Sequence, residues 1–302
     1  MLPAMPIFPD LPELPDEQRR AASGPLRYED VAQDGRLVLT ALPHFLGLLV
    51  FQPILARNQA ARSLARSGIF PIMSRMIIDG GQGPVSVSRL VDGSGGFALA
   101  HTVDESGQPN RLLLEMWAEM TAPRARTHGP PPPGAGELIG VGRVYGEHVF
   151  TRLFAPPGER KVTRFPPGPW PEVPPARREW RGVDAIVALP DGAVWLEDER
   201  PDDAPLVFGL AHTDANQHVN SLAYPRLFED AALRRLARLG RPTTVLARYM
   251  EIGYRKPCFA GQSVRIVLRA YLRGERVGVA GWFRPEEDPA SRPSAVVRME
   301  VD

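Results

Sequence analysis

The sequence has a single cysteine, Cys258, so an intrachain disulfide and a cysteine-built zinc site are both excluded. Lysine is almost missing: Lys161 and Lys256 are the only two among 36 basic residues, and arginine supplies the rest. With 35 acidic residues the formal net charge is +1, which excludes the strongly basic balance of a general nucleic-acid binder. No apolar run is long enough to span a bilayer, since the longest, residues 45–55, is broken by Gln52 and Pro53. The first 24 residues are proline-rich and acidic, without the basic, apolar and small-residue blocks of a signal peptide. The expectation is a cytoplasmic protein with no membrane span.

Proline is abundant and clustered. Residues 121–136 include Pro130, Pro131, Pro132 and Pro133, and residues 155–175 are broken by eight more prolines. Proline has no N–H to donate, so these stretches read as stiff connectors. Between them, residues 138–154 carry the valines and aromatics of a strand, read as an extra strand at a sheet edge. The expected organisation is an N-terminal proline-rich segment (1–24), a first unit (25–120), a connector (121–180) and a second unit (181–302).

The two units repeat each other. Moved back by 172 positions, Gly240 falls on Gly68, Pro225 on Pro53, Leu227 on Leu55, Ala232 on Ala60 and Arg234 on Arg62. Leu236, Ala237 and Arg238 fall on Leu64, Ala65 and Arg66, all without a gap, which indicates an internal duplication. Each copy has an extended segment (37–42; 206–211) and then a helix of about four turns. The second helix carries apolar residues at near-helical spacing and closes at Gly240. A kink shared by Pro53 and Pro225 is expected. Strand patterns follow at 71–79, 85–91, 96–103 and 111–120, and again at 243–254, 263–272, 276–283 and 294–301. One helix followed by several antiparallel strands is an α+β layout, and pairing two copies would cover exposed sheet.

Chemistry concentrates just before the second helix, where Asp214, Asn216 and His218 alternate and Asn220 follows. Capping a helix needs one polar side chain, not four. The run from Asp214 to Asn220, with Tyr224 beyond it, resembles the D-x-N-x-H-V-N-N-x-x-Y signature of acyl-carrier-protein thioesterases. With the duplication and length, the resemblance extends over roughly residues 25–302. It implies a tandem (double) hotdog: two antiparallel sheets, each wrapped round a long helix, packed as an intramolecular pseudo-dimer with the site where the copies meet. It also implies hydrolysis of acyl thioesters of acyl carrier protein or coenzyme A, without metal or organic cofactor. Asp214 would be the general base or nucleophile, Asn216 would hold the carboxylate or water, and His218 would orient water or handle a proton. Asn220 is read as a helix cap, with Tyr224 in support.

In the first copy Leu42, His44 and Leu46 occupy the places of Asp214, Asn216 and His218, so that copy should be inactive and its apolar residues should line the acyl pocket. One departure from the family stands out. Its Y-R-R-E-C segment, with a glutamate assigned to catalysis, is here Tyr254-Arg255-Lys256-Pro257-Cys258. Glu251 is a candidate substitute, though an exposed strand glutamate fits the pattern better, and Cys258 matches the family cysteine but reads as a structural thiol. Arg234, Arg235, Arg238, Arg241 and Arg248 suit either an acidic carrier or a solvated helix face. Two alternatives stay open: a hydratase or dehydratase, whose D-x-N-P-x-H pattern has different spacing, and a non-catalytic acyl-binding protein. Further homodimerisation is also open.

Overall fold

The computed structural model describes residues 8–288 and 290–302; residues 1–7 of the proline-rich N-terminal segment lie outside the described residues. The chain divides into two compact units. One comprises residues 9–37 and 41–181, and the other Gly182–Asp302 with Val38–Thr40 and Phe8. Both are α+β.

The N-terminal unit is built on strands β1 (Arg19–Gly24), β2 (Ile69–Gly80), β3 (Val91–Val103), β4 (Pro109–Pro123) and β5 (Leu138–Arg152). They pair antiparallel in the order β1-β3-β4-β5-β2, and the short β6 (Ala176–Arg177) joins β3 in parallel. Three expectations change here. Residues 19–24, expected within the proline-rich N-terminal segment, form a strand. Residues 138–152 lie between β4 and β2, so this strand sits inside the sheet instead of on its edge. Residues 85–90 are loop and turn, and only Val91 enters a strand.

The expected four-turn helix of this unit is broken. Helix α1 (His44–Leu46) runs into a π-helical stretch, Gly47–Leu55, and α2 (Gln59–Arg66) restarts after residues 56–58, bent by 84° from the preceding segment. Pro53 withholds a backbone donor inside the π-helical stretch. Asn58 then nucleates the new helix, its Oδ1 accepting the N–H groups of Ala60 (2.8 Å) and Ala61 (3.1 Å). Phe45, Leu46, Leu49 and Val50 are buried. Gly93 of β3 permits this packing, because a Cβ there would stand 2.9 Å from Leu49 and 3.1 Å from Phe45. Segment 37–42 forms a 3-10 turn at Leu39–Ala41 in place of an extended run.

The proline-rich connector packs back on its own unit. His101 Nδ1 donates to the Pro174 carbonyl (2.8 Å), and Arg178 pairs with the buried Glu115, which also accepts the Tyr145 hydroxyl (2.9 Å). His148 of β5 is held mostly away from solvent, and burial pushes its imidazole from 6.5 down to about 4, against a smaller upward pull from the Leu114 and Gly146 carbonyls. The unfolded chain therefore takes up a proton here at a pH where the folded chain does not. Stability contributed by the neutral ring is complete above pH 6.5 and lost as the pH falls toward 4. The expected loss is on the order of 2 kcal/mol. Urea midpoints of the wild type and His148→Phe, compared between pH 7.5 and 4.5, should diverge in that window; parallel curves would refute the assignment.

The C-terminal unit has strands β7 (Ala193–Trp195), β8 (Arg200–Pro201), β9 (Leu206–Val207), β10 (Ala247–Tyr254), β11 (Ser263–Arg273), β12 (Arg276–Pro285) and β13 (Ala295–Val301). The order is β10-β13-β12-β11, and the three short strands all pair with β11. Helix α3 (Ala223–Arg238) is continuous and buries Tyr224, Phe228, Ala231, Ala232 and Leu236. Pro225 is its third residue, where no intrahelical donor is needed, so the kink expected to be shared with Pro53 occurs only in the first copy. Gly240 (φ +65°) and Gly68 (φ +73°), matched by the duplication, both take the left-handed conformation that ends a helix. Among the described residues no single helix is long and apolar enough to cross a membrane.

Candidate active site

The predicted catalytic run lies on a tight loop between the 3-10 turn Leu210–His212 and α3. Thr213 and Val219 form an antiparallel bridge across it. Within the reversal, the Asp214 N–H donates to the His218 carbonyl (3.2 Å) and the Gln217 N–H to the Asp214 carbonyl (2.9 Å). Gln217 sits at φ +63°, a left-handed position uncommon for a side-chain-bearing residue. The Val219 N–H donates to the Cys258 carbonyl (2.8 Å), fixing the loop against residues 255–262.

Both oxygens of the Asp214 carboxylate are held. Oδ1 accepts the Asn216 backbone N–H (2.8 Å), closing the local turn that aspartate favours. Oδ2 accepts the Asn220 side-chain amide (2.9 Å). Asn220 Oδ1 in turn accepts the Leu222 N–H (2.8 Å), and the Asn220 carbonyl accepts the Ala223 N–H (3.0 Å). One amide thus ties the carboxylate to the first turn of α3. The expected roles change accordingly. Asn216 contributes its backbone, and its exposed side chain does not hold the carboxylate; Asn220 does that, and it is not the expected helix cap, because the N-cap position of α3 is Leu222 and the Asn220 Oδ1 closes the turn before it. The six-residue separation gave no warning of this, because only the folded turn brings the two side chains together.

His218 is partly buried, and its Nδ1–H donates to the Val219 carbonyl (3.2 Å), which leaves Nε2 an acceptor. Among the described residues no hydrogen bond joins its ring to the Asp214 carboxylate. Tyr224 is buried at the foot of the loop, between the rings of Phe208 and Phe283. Burial, reinforced by its hydrogen bond with Cys258, raises its hydroxyl well above the ordinary phenol range. Burial does the same for Tyr254, whose hydroxyl donates to the Ser221 carbonyl (3.0 Å). Both phenols stay protonated, and their rings pack edge to face beneath the loop. Cys258 is a buried free thiol.

Glu251 is neither a catalytic substitute nor an exposed strand residue. It is fully buried, ion-paired with Arg298 across the β10–β13 register (2.6 Å), and accepts the Tyr249 hydroxyl (3.1 Å). Strand alternation explains its orientation: Tyr254 faces α3 and the loop, so Glu251, three positions earlier, points to the other face. Three of the five arginines singled out are likewise engaged within the chain. Arg234 pairs with Asp202 (2.5 Å), Arg235 with Glu197 (3.5 Å) and Arg238 with Asp203. The acidic segment that β8 pins to β11 lies alongside this face of α3 and neutralises it. Among the described residues no three His, Cys, Asp or Glu side chains gather as a metal site would.

Replacing Asn220 with alanine removes the bond to the carboxylate and the bond to the Leu222 N–H together. The expected result is about 1 kcal/mol lower stability and, through loss of positioning, a roughly tenfold fall in any Asp214-dependent activity. Thermal melting and rate measurements on the same preparation check it. A variant as active as the wild type would mean that the amide only closes the turn that leads into α3.

No protein-family model and no curated protein matches the sequence. Solved structures do match its fold over nearly the whole chain. A putative oleoyl thioesterase from Lactobacillus plantarum is similar at TM-score 0.57 and 14% identity, over 94% of each chain. An acyl-ACP thioesterase from Bacteroides thetaiotaomicron aligns at TM-score 0.56 and 14% identity, over 94% of this chain and 98% of that one. A 12:0-ACP thioesterase from Umbellularia californica aligns at TM-score 0.56 and 12% identity, over 96% and 99%. This chain therefore has the α+β fold of those structures. At such identities the likeness concerns fold alone.

Proposed function

We propose that the chain is an acyl-thioester hydrolase with a tandem hotdog architecture, acting on thioesters of acyl carrier protein or coenzyme A. The observation that carries the reading is the Asp214 carboxylate, fixed at both oxygens beside the amino end of α3. In the reaction, water or Asp214 attacks the thioester carbonyl, the carbon–sulfur bond breaks, and the free acid and thiol leave; water is the only co-reactant. Asp214 takes the proton of the attacking water, or attacks directly and is released by water. His218 Nε2 is available as a proton acceptor, and the exposed Asn216 amide can orient the water or the thioester. The positive end of the α3 dipole favours the charge that develops on the carbonyl oxygen.

The first copy supports a single active site per chain. Leu42 and Leu46, at the positions of Asp214 and His218, are buried, and Leu42 packs so closely that a Cβ at Gly142 would stand 2.5 Å from it. A buried leucine cannot move a proton.

The test is thiol release from a panel of acyl-CoA and acyl-carrier-protein substrates of graded chain length. Burial of Cys258 keeps the protein's own thiol from contributing. Turnover of at least one substrate is expected. The exposed Pro257, in place of the resembled family's glutamate, favours one second reading, a protein that binds acyl thioesters without cleaving them. Binding with no thiol release across the panel would replace the hydrolase reading with that one.

A further inference from the structure

Where β5 leaves the sheet of the N-terminal unit, the chain forms an exposed apolar crest beside several cations. Residues 151–161 fold back on themselves. Thr151 bridges Lys161, the Arg152 N–H donates to the Arg160 carbonyl (2.9 Å), and the Ala155 N–H closes a turn on the Arg152 carbonyl (3.2 Å). On that turn stand Leu153 and Phe154, 40% and 81% exposed. The Leu153 N–H donates to the Gly68 carbonyl (3.2 Å), which ties the crest to the chain leaving α2. The Phe154 ring meets Phe70 of β2 edge to face, with 5.8 Å between centroids. Ile72, two positions along β2 and exposed, continues the apolar surface on the face that carries Phe70.

The cations are placed by the same turns. Arg152 and Lys161 are exposed on the folded-back segment, and the Arg160 Nε donates to the Ala155 carbonyl (2.9 Å), next to Phe154. Arg66, also exposed, lies two positions before Gly68. Two carboxylates oppose them. One is Glu159 on the same segment, and the other is Asp104, held below the usual carboxylate range by Ser106 and, more weakly, by the Lys161 charge. Four cations against two carboxylates leave the crest positive, although the whole chain is nearly balanced at +1.

An exposed apolar patch rimmed by charge marks an interaction surface, and here its shape selects the partner. A ring raised on a turn has no walls around it to enclose another protein's side chain, and a fluid bilayer needs none. Phenylalanine and leucine settle just below lipid headgroups, while arginine and lysine lay their stems along apolar surface and keep their charge at the phosphates. We propose that this crest attaches the protein peripherally to an anionic phospholipid surface, with Leu153 and Phe154 inserted and Arg66, Arg152, Arg160 and Lys161 at the phosphates. The proposal does not rest on the reading as a hydrolase, because its test measures binding without turnover.

The experiment is co-sedimentation of the full chain with vesicles of equal parts phosphatidylglycerol and phosphatidylcholine, and with vesicles of phosphatidylcholine alone. Binding to the mixed vesicles should be about tenfold stronger or more, and should weaken as salt is raised. Phe154→Ser should weaken it by about tenfold, and Arg152→Gln and Lys161→Gln by about fivefold each. All three side chains are exposed, so the variants should melt with the wild type. No binding to the mixed vesicles, equal binding to both kinds, or variants that bind like the wild type would each overturn the proposal. So would a dimer in solution that Phe154→Ser dissociates, which would assign the crest to a second copy of the chain.

Discussion

Thiol release should fall by at least two orders of magnitude in Asp214→Asn, with the fold unchanged. A positioned general base contributes roughly 10²–10⁴ in rate, and an amide cannot take its proton. Hydrogen bonding predicts that the variant folds. The new amide oxygen can still accept the Asn216 N–H that Oδ1 accepts now, preserving the turn. Its NH2 group would face the Asn220 amide, a donor facing a donor where 2.9 Å now separates donor from acceptor. That conflict is local and half-exposed, so the expected stability cost is about 1 kcal/mol. Steady-state rates with the best substrate, alongside far-ultraviolet circular dichroism, measure both parts. A variant retaining more than a tenth of the wild-type rate would remove Asp214 from the chemistry and leave the loop as a structural turn that leads into α3.

Glu251→Ala should be the most destabilising single change, by about 3–5 kcal/mol, because it leaves the Arg298 guanidinium buried without its counter-ion. Glu251 and Arg298 are 0% and 5% exposed, so water cannot substitute. A second buried pair, Arg273 of β11 with Glu300 of β13 (2.6 Å), includes the strand that carries Arg298, and Tyr271 donates to Glu300 (3.2 Å). Replacing Glu251 and Arg298 together with leucine and methionine should cost less than Glu251→Ala alone, since the stranded charge goes with its partner. Urea denaturation of the three proteins gives the comparison. The folded fraction of Glu251→Ala should keep its thiol-release rate, as Glu251 faces away from α3. A selective loss of rate in correctly folded protein would restore it as the substitute for the glutamate missing at Pro257.

The motif residues could be found in the sequence because they are contiguous. A carboxylate, an amide and an imidazole within five positions survive any uncertainty about long-range contacts. The strands after each helix were legible for a similar reason, since β10, β11, β12 and β13 carry valine, isoleucine and aromatic residues between turn signals. Reading failed where a neighbour from elsewhere in the chain decides the outcome. Residues 138–152 look the same at an edge or in the middle of a sheet, and only their pairing with β2 and β4 places them inside. Residues 19–24 have no strand pattern of their own, and β3 draws them into register.

The sequence by itself determined the α+β class of the fold, and it supplied the readings of a duplication, of the Asp214–Asn220 loop as the proposed seat of the chemistry and of the loss of that motif from the first copy. Each of these rests on residue identity at short or repeated spacing. Tertiary structure decided what those residues touch. It made Asn220 and not the Asn216 side chain the holder of the carboxylate, turned Glu251 to the far face against Arg298, and spent the α3 arginines on Asp202, Glu197 and Asp203. The physical reason is common to all three. A hydrogen bond or ion pair has meaning only once both partners are placed within about 3 Å, and chain separations of 6 to 47 residues are closed by folding alone.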